Sequence, residues 1–214
     1  MKKLLPILFV LIITSCSPPK EVPLEQTVER NGITYEVNSE EPFSGTVVLF
    51  HKNGQLEQRS TLKDGKKEGL EEWYDVNGQL ETKENYKDGK RDGLEEYFTN
   101  GQLKSKSNFK GRKLDGLWES YYENGQLQYK GNYKDGERDG LWEYYYVENG
   151  QLEYKGNYKD GESDGLWESY YKNGQLHYKG NYKDGKRDGL EEEYHENGKL
   201  KSKRNFKDGE LMTP

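Results

Sequence analysis

The chain has 214 residues, 33 of them basic and 39 acidic, for a formal charge of −6. So even a balance excludes nucleic acid as the main partner, because phosphate binding needs a concentrated basic surface. Leu, Ile, Val and Phe make up only about 19% of the chain, alanine is absent, and Gly, Tyr and Trp number 25, 18 and 4, which excludes a helical protein and leaves a β protein with a thin core of aromatic rings.

Lys2 and Lys3 precede an apolar run from Leu4 to Ile13, and Thr14, Ser15 and Cys16 follow it. A charged start, a short apolar run and small residues at its end fit a secretory signal; a membrane span needs about 20 apolar residues. The stretch Ile13-Thr14-Ser15-Cys16 resembles the lipobox of bacterial lipoproteins, and the resemblance implies that Cys16 is acylated and becomes the first mature residue. Ser17 rather than Asp follows it, which by the same resemblance directs the protein to the outer membrane. Several acyl chains give a stable hold on the lipid membrane, whereas one chain binds only marginally. Cys16 is the only cysteine, so no intramolecular disulfide can form. Residues 1–15 are therefore expected to be a lipoprotein signal peptide and 16–30 a flexible tether, since Ser17 to Glu29 holds three prolines and no aromatic residue.

From there the chain repeats. Asn-Gly pairs recur at Gly54, Gly78, Gly101, Gly125, Gly150, Gly174 and Gly198, in steps of 23 to 25 residues, and a second glycine keeps the same beat at Gly45, Gly69, Gly93, Gly116, Gly140, Gly165 and Gly189. A fixed period of this length marks a repeat array. Asn-Gly between two runs rich in Tyr and Leu predicts a hairpin with a type I′ turn, because both residues tolerate positive φ. Centring the turn on Asn124-Gly125 sets Tyr122 opposite Leu127, Ser120 opposite Tyr129, Glu119 opposite Lys130 and Trp118 opposite Gly131. Trp118, Tyr122, Leu127, Tyr129 and Tyr133 then share one face, and Leu117, Glu119, Tyr121 and Lys130 the other. The same register pairs Trp142 with Gly156 and Trp167 with Gly180. Where Glu71, Glu95 and Glu191 replace the tryptophan, the partner becomes Glu84, Ser107 or Arg204 and never glycine. Glycine leaves room for an indole. The unit from Gly140 has one residue more and that from Gly93 one fewer, so a bulge or an altered loop must restore register there.

Strings such as YKGNYKDGERDGLWESYYENGQL are similar to the MORN repeat, in the bacterial variant form of YwqK-like antitoxin or immunity proteins. The resemblance spans about Asn31 to Gly209. It implies an all-β, elongated single-sheet array of about seven hairpin repeats, an antiparallel meander over 31–209, with a short tail at 210–214. Fourteen strands at ~4.8 Å each would extend about 65 Å. The weaker Asn31-Gly32 motif with Tyr35 is expected to be half a unit that caps the first full one. By resemblance the array is a binding or scaffolding surface.

No catalytic constellation emerges. His51 and His195 occupy the same place in distant units, and the lone cysteine removes cysteine-based zinc sites and nucleophiles. Glu119, Glu143 and Glu168 recur at one structural position, which fits solvated lysine pairing better than acid–base chemistry. The Asp-Gly links fit turns better than calcium cages. No enzyme activity, cofactor or metal site is expected. The functional candidate is an aromatic stripe, Trp118, Tyr129, Trp142, Tyr154, Trp167 and Tyr178, which serves as core, as binding surface or as both. The expected partner is a protein, with a toxin among the candidates. The alternative is a glycan or peptidoglycan stacked on the rings. Unpaired end strands would invite self-association.

Overall fold

The structure is a computed structural model, and it describes residues 19–213. Cys16 and the expected signal segment lie outside the described residues. Among those described, a 17-stranded sheet is the main element. From Gly45–Phe50 to Leu200–Lys207 its strands follow chain order, each antiparallel to the next. The all-β meander of seven hairpins is thus observed.

Each unit consists of a leading strand, such as Glu137–Tyr145, and a returning strand, such as Leu152–Lys159. Within a unit the register is as expected for Trp118↔Gly131, Glu119↔Lys130 and Ser120↔Tyr129. The turn differs. Tyr122 N–H donates to the Gln126 carbonyl at 2.8 Å and Gly125 N–H to the Tyr122 carbonyl at 2.9 Å, and of the Asn-Gly pair only Gly125 has positive φ, at 82°. This is a three-residue loop closed by a glycine bulge, not a type I′ turn. The extra loop residue shifts only the start of the returning strand, where Leu127 faces Tyr121 instead of Tyr122 and changes face, and a bulge before Tyr129 restores the expected register. The two-residue turn with positive φ at both positions occurs in the Asp-Gly links instead, as at Asp135 (52°) and Gly136 (96°). The short unit from Gly93 does form a two-residue turn at Asn100-Gly101, with Thr99 facing Gln102. The long unit absorbs its extra residue in a loop closed by Gly150 N–H on the Tyr146 carbonyl.

A bulge also recurs where one unit meets the next. Gly93 sits there at φ 111°, close enough to Asn85 that a β-carbon would lie 3.2 Å from the Asn85 Cβ. Asn85 Nδ2 donates to the Leu94 carbonyl at 2.8 Å, and Asn108 repeats this on Leu117 at 2.9 Å. At the other end of the hairpins, hydroxyls tie three of the turns to the next unit: Tyr122 to the Tyr145 carbonyl (2.7 Å), Tyr146 to Tyr170 (2.7 Å) and Tyr171 to Tyr194 (2.8 Å). His51 Nε2–H makes the corresponding bond to Tyr74 at 2.9 Å.

The described part of 16–30 is not a tether. Glu21–Pro23 pairs parallel with the first leading strand, Val22 against Val47, and Thr46 N–H donates to the Lys20 carbonyl at 2.8 Å. Val22 is 3% exposed and joins Phe43, Val47 and Leu62 in a hydrophobic cluster. Proline suits this edge because the outer side needs no donor. A 3₁₀ turn, Leu24–Gln26, leads to the hairpin of Thr27–Arg30 and Ile33–Glu36, which forms a separate small sheet. That hairpin caps the array through Thr34 N–H on the Gly65 carbonyl, but it is not half a repeat. The expected tail also differs, since Glu210–Leu211 pairs with Lys207 and Phe206.

Candidate functional site

The cross-strand register places all six stripe residues on one face. Trp118, Gly131, Trp142, Gly156, Trp167 and Gly180 form one row, and Ser120, Tyr129, Tyr144, Tyr154, Ser169 and Tyr178 the row beside it. Trp142 is 1% exposed, while Trp118, Tyr129, Tyr154, Trp167 and Tyr178 are half-buried. The stripe is therefore core at its centre and open along its length.

The rings touch in a chain. Trp118 lies 5.2 Å from Tyr133, and Trp142 contacts Tyr129 at 6.1 Å, Tyr133 edge-on at 5.2 Å and Tyr158 edge-on at 6.1 Å. Tyr144 stacks on Tyr154 at 4.1 Å and 16°. Trp167 continues the chain between Tyr158 and Tyr182. Arg138 lies 4.4 Å over the Trp142 ring and donates to the Tyr158 hydroxyl at 2.9 Å. Trp142 Nε1–H donates to the Asn132 carbonyl at 3.1 Å. Burial pushes the Tyr144, Tyr154 and Tyr178 phenols up, so they stay neutral donors. Tyr144, Tyr158, Tyr182 and Arg138 were missed by the sequence reading. The Tyr of each YKGNY string follows its glycine by two, and that alternation alone would have placed Tyr158 and Tyr182 beside Tyr133.

The glycines do give room, but to a different indole. A methyl group at Gly131 would run into Trp142, and one at Gly156 into Trp167. Each glycine faces one tryptophan across its own hairpin and houses the ring of the following unit. Gly180 has Glu191 after it instead of tryptophan, and the Tyr178 hydroxyl bends over the space, donating to Glu191 Oε2 at 3.0 Å.

Carboxylates replace indoles toward the N-terminal end, where Glu71, Glu84 and Glu95 stand side by side. Glu71 is 1% exposed and accepts from Lys67 at 2.6 Å, Ser60 at 2.7 Å and Gln58. Burial raises its pKa, but these hydrogen bonds outweigh burial and the net shift is downward. Glu95 is also raised by burial; Arg91 opposes this, the facing Glu84 adds to it, and the net shift is upward. A carboxyl lowered in the fold stabilises it when ionised, and a raised one costs stability when ionised. At neutral pH, Glu71→Gln is thus expected to lower the melting temperature and Glu95→Gln to leave it unchanged or raise it. Thermal unfolding of the two variants checks this, and the reverse order would refute it.

The opposite face has rows of leucine, of alternating Glu and Lys, and of tyrosine. Lys130 pairs with Glu143 at 2.9 Å, Lys155 with Glu168 at 2.8 Å and Lys179 with Glu192 at 2.6 Å. Lys130 also faces Glu119 within its hairpin, but its ion pair reaches into the next unit. Hydrogen bonds from Lys179, Tyr194 and Lys203 lower Glu192 from 4.5 to about 2. Its contribution to stability is present above the ordinary carboxylate pKa and is lost as pH falls from there toward 2. His51 and His195 both open hairpin turns, in the first and last units. Among the described residues no group of three or more His, Cys, Asp or Glu could hold a metal ion.

No curated protein matches the chain. Among solved structures, an S. aureus TarM mutant in complex with fondaparinux, alpha-GlcNAc-glycerol and UDP is 11% identical with a TM-score of 0.31, over 45% of this chain and 19% of that one. TarM itself gives 12% identity and 0.30, over 47% and 20%. A GtfA/B complex bound to UDP and GlcNAc gives 14% and 0.25, over 54% and 22%. The chain spans about a fifth of the length of each, and no functional conclusion follows at these scores. The sequence profile of the MORN repeat variant matches residues 44–64, 67–88, 91–110, 114–135, 138–160, 163–184 and 187–208. Those seven segments coincide with the seven hairpins and cover well over half of the sequence, so the chain belongs to the MORN repeat variant family.

Proposed function

We propose that this chain is a non-catalytic lipoprotein of the cell envelope, held in the outer membrane through Cys16, whose repeat sheet binds a protein partner on its aromatic face. An immunity role, with a toxin as the partner, is the specific form of this reading. The observation that carries it is the band of half-buried rings around the enclosed Trp142. Large aromatic side chains anchor protein interfaces, and a repeat surface offers them over an extended face.

The test uses Trp118→Ala with Trp167→Ala, which alters the open rings and spares the buried one. The double variant is expected to keep its fold and to lose the partner retained by wild type from envelope extracts. An unchanged set of partners would defeat the aromatic contact. Quenching of Trp fluorescence by cell-wall fragments, without protein retention, would favour a glycan ligand instead. Fatty-acid analogue labelling that persists in Cys16→Ala would overturn the anchor.

A further inference from the structure

The two ends of the sheet are unlike. At the N-terminal end, Glu21–Pro23 covers the first leading strand over Thr46–Val48, with Val22 buried beneath. At the other end, Glu210–Leu211 covers only Phe206 and Lys207 of the last returning strand. Met212 N–H donates to the Asn205 carbonyl at 2.8 Å, so the Asn205 backbone faces outward. By the alternation of an antiparallel ladder, the backbone groups of Lys203 face outward too, up to the bulge at Lys201. Among the described residues, no strand pairs with that side of Leu200–Arg204.

The side chains say what would fit there. In the central units the returning strand offers a lysine to a glutamate of the following unit, as in Lys130–Glu143, Lys155–Glu168 and Lys179–Glu192, whereas Lys83 and Lys106 turn back to Glu72 and Glu96 of their own hairpins. Lys203 is next in that series. It turns back to Glu192 at 3.2 Å, a carboxylate already paired with Lys179. Arg204 stands where Ser60, Glu84 and Gly180 face Glu71, Glu95 and Glu191. The vacant register thus calls for two consecutive carboxylates, one for each face of the sheet. Lys201, Lys203, Arg204 and Lys207 each pair with an acid of the preceding strand, yet keep 46–56% of their side chains exposed and able to accept a second carboxylate. Leu200, Leu211 and Met212 beside them are 50–55% exposed.

We infer that the open edge at Leu200–Arg204 docks an extended acidic segment of a partner protein as an added antiparallel strand. Its required pattern is that of the chain's own leading strands, a small residue and an apolar residue followed by two acids, as in Gly189-Leu190-Glu191-Glu192. Main-chain bonds would supply affinity and the paired charges the register. A second copy is a poor occupant. Its N-terminal edge is closed by Glu21–Pro23, and its C-terminal edge carries the same positive charge.

The test is independent of the aromatic face. A fluorescent peptide with the sequence of residues 186–198 is titrated into the whole chain and followed by anisotropy. Saturable binding is expected, weakened about tenfold by Lys203→Glu in the protein, and restored when the peptide carries Glu192→Lys. Lys203→Pro, which removes one outward N–H, should also weaken it while the fold persists. Equal binding of both peptides to wild type, failure of the charge swap to restore affinity, or concentration-dependent dimerisation that the peptide does not disturb would each overturn the inference.

Discussion

Gly131→Ala is expected to cost the central units more stability than a single methyl group ordinarily does. The added carbon would run into the Trp142 indole. That ring has no free direction, since Tyr129, Tyr133, Tyr144, Tyr158 and Arg138 surround it. Overpacking of a filled site costs about 1–3 kcal/mol, and the enclosed ring puts this position at the upper end. Gly156→Ala should behave alike, with Trp167 as the obstacle. Gly180→Ala should be milder, because the atom met there is the far end of the Tyr178 side chain, which can swing aside at the cost of its bond to Glu191. Urea unfolding followed by Trp fluorescence ranks the three. Trp142→Leu combined with Gly131→Ala should recover part of the loss. A Gly180 variant as damaged as the other two would show that the glycines do not act as sockets.

Trp142→Ala should be the most disruptive single substitution in the array, at about 3–5 kcal/mol for a fully buried large aromatic. It removes the ring under Arg138 and the indole donor to the Asn132 carbonyl. In a repeat protein stability is a sum over units and their junctions. Loss at the middle junction should therefore split unfolding into two transitions, one for each flank. Trp118→Ala and Trp167→Ala remove half-buried rings and should each cost less while leaving a single transition. Calorimetry distinguishes these outcomes, and one unbroken transition in Trp142→Ala would show that the flanks are not coupled through that ring.

Local pattern carried most of the fold. The glycine period, the side-chain alternation and the swap of tryptophan for glutamate were enough to align Trp118 with Gly131 and Glu191 with Arg204, as found. Turn chemistry was less legible, because an Asn-Gly pair serves a two-residue turn at Asn100 and a three-residue loop at Asn124, and loop length depends on where the strands stop pairing. The housing of each indole was hidden for another reason. A ring leans across to the neighbouring strand, so its contacts belong to the junction between units and not to the hairpin in which it is written. Residues 19–30 read as a linker because their few apolar side chains are scattered among prolines. Val22 is buried nonetheless, since one alternate position in a parallel edge strand is enough to fill the gap above Val47.

The parallel strand at the start of the sheet also fixes a footing. The Lys20 carbonyl is bonded to Thr46, and the four peptide steps from Cys16 to Lys20 can stretch no further than roughly 14 Å. With Cys16 lipidated as proposed, the first hairpin would stand on the headgroups with no slack to lift it away. Height above the bilayer would then come in steps, up to about 9.6 Å for the two strands of each unit.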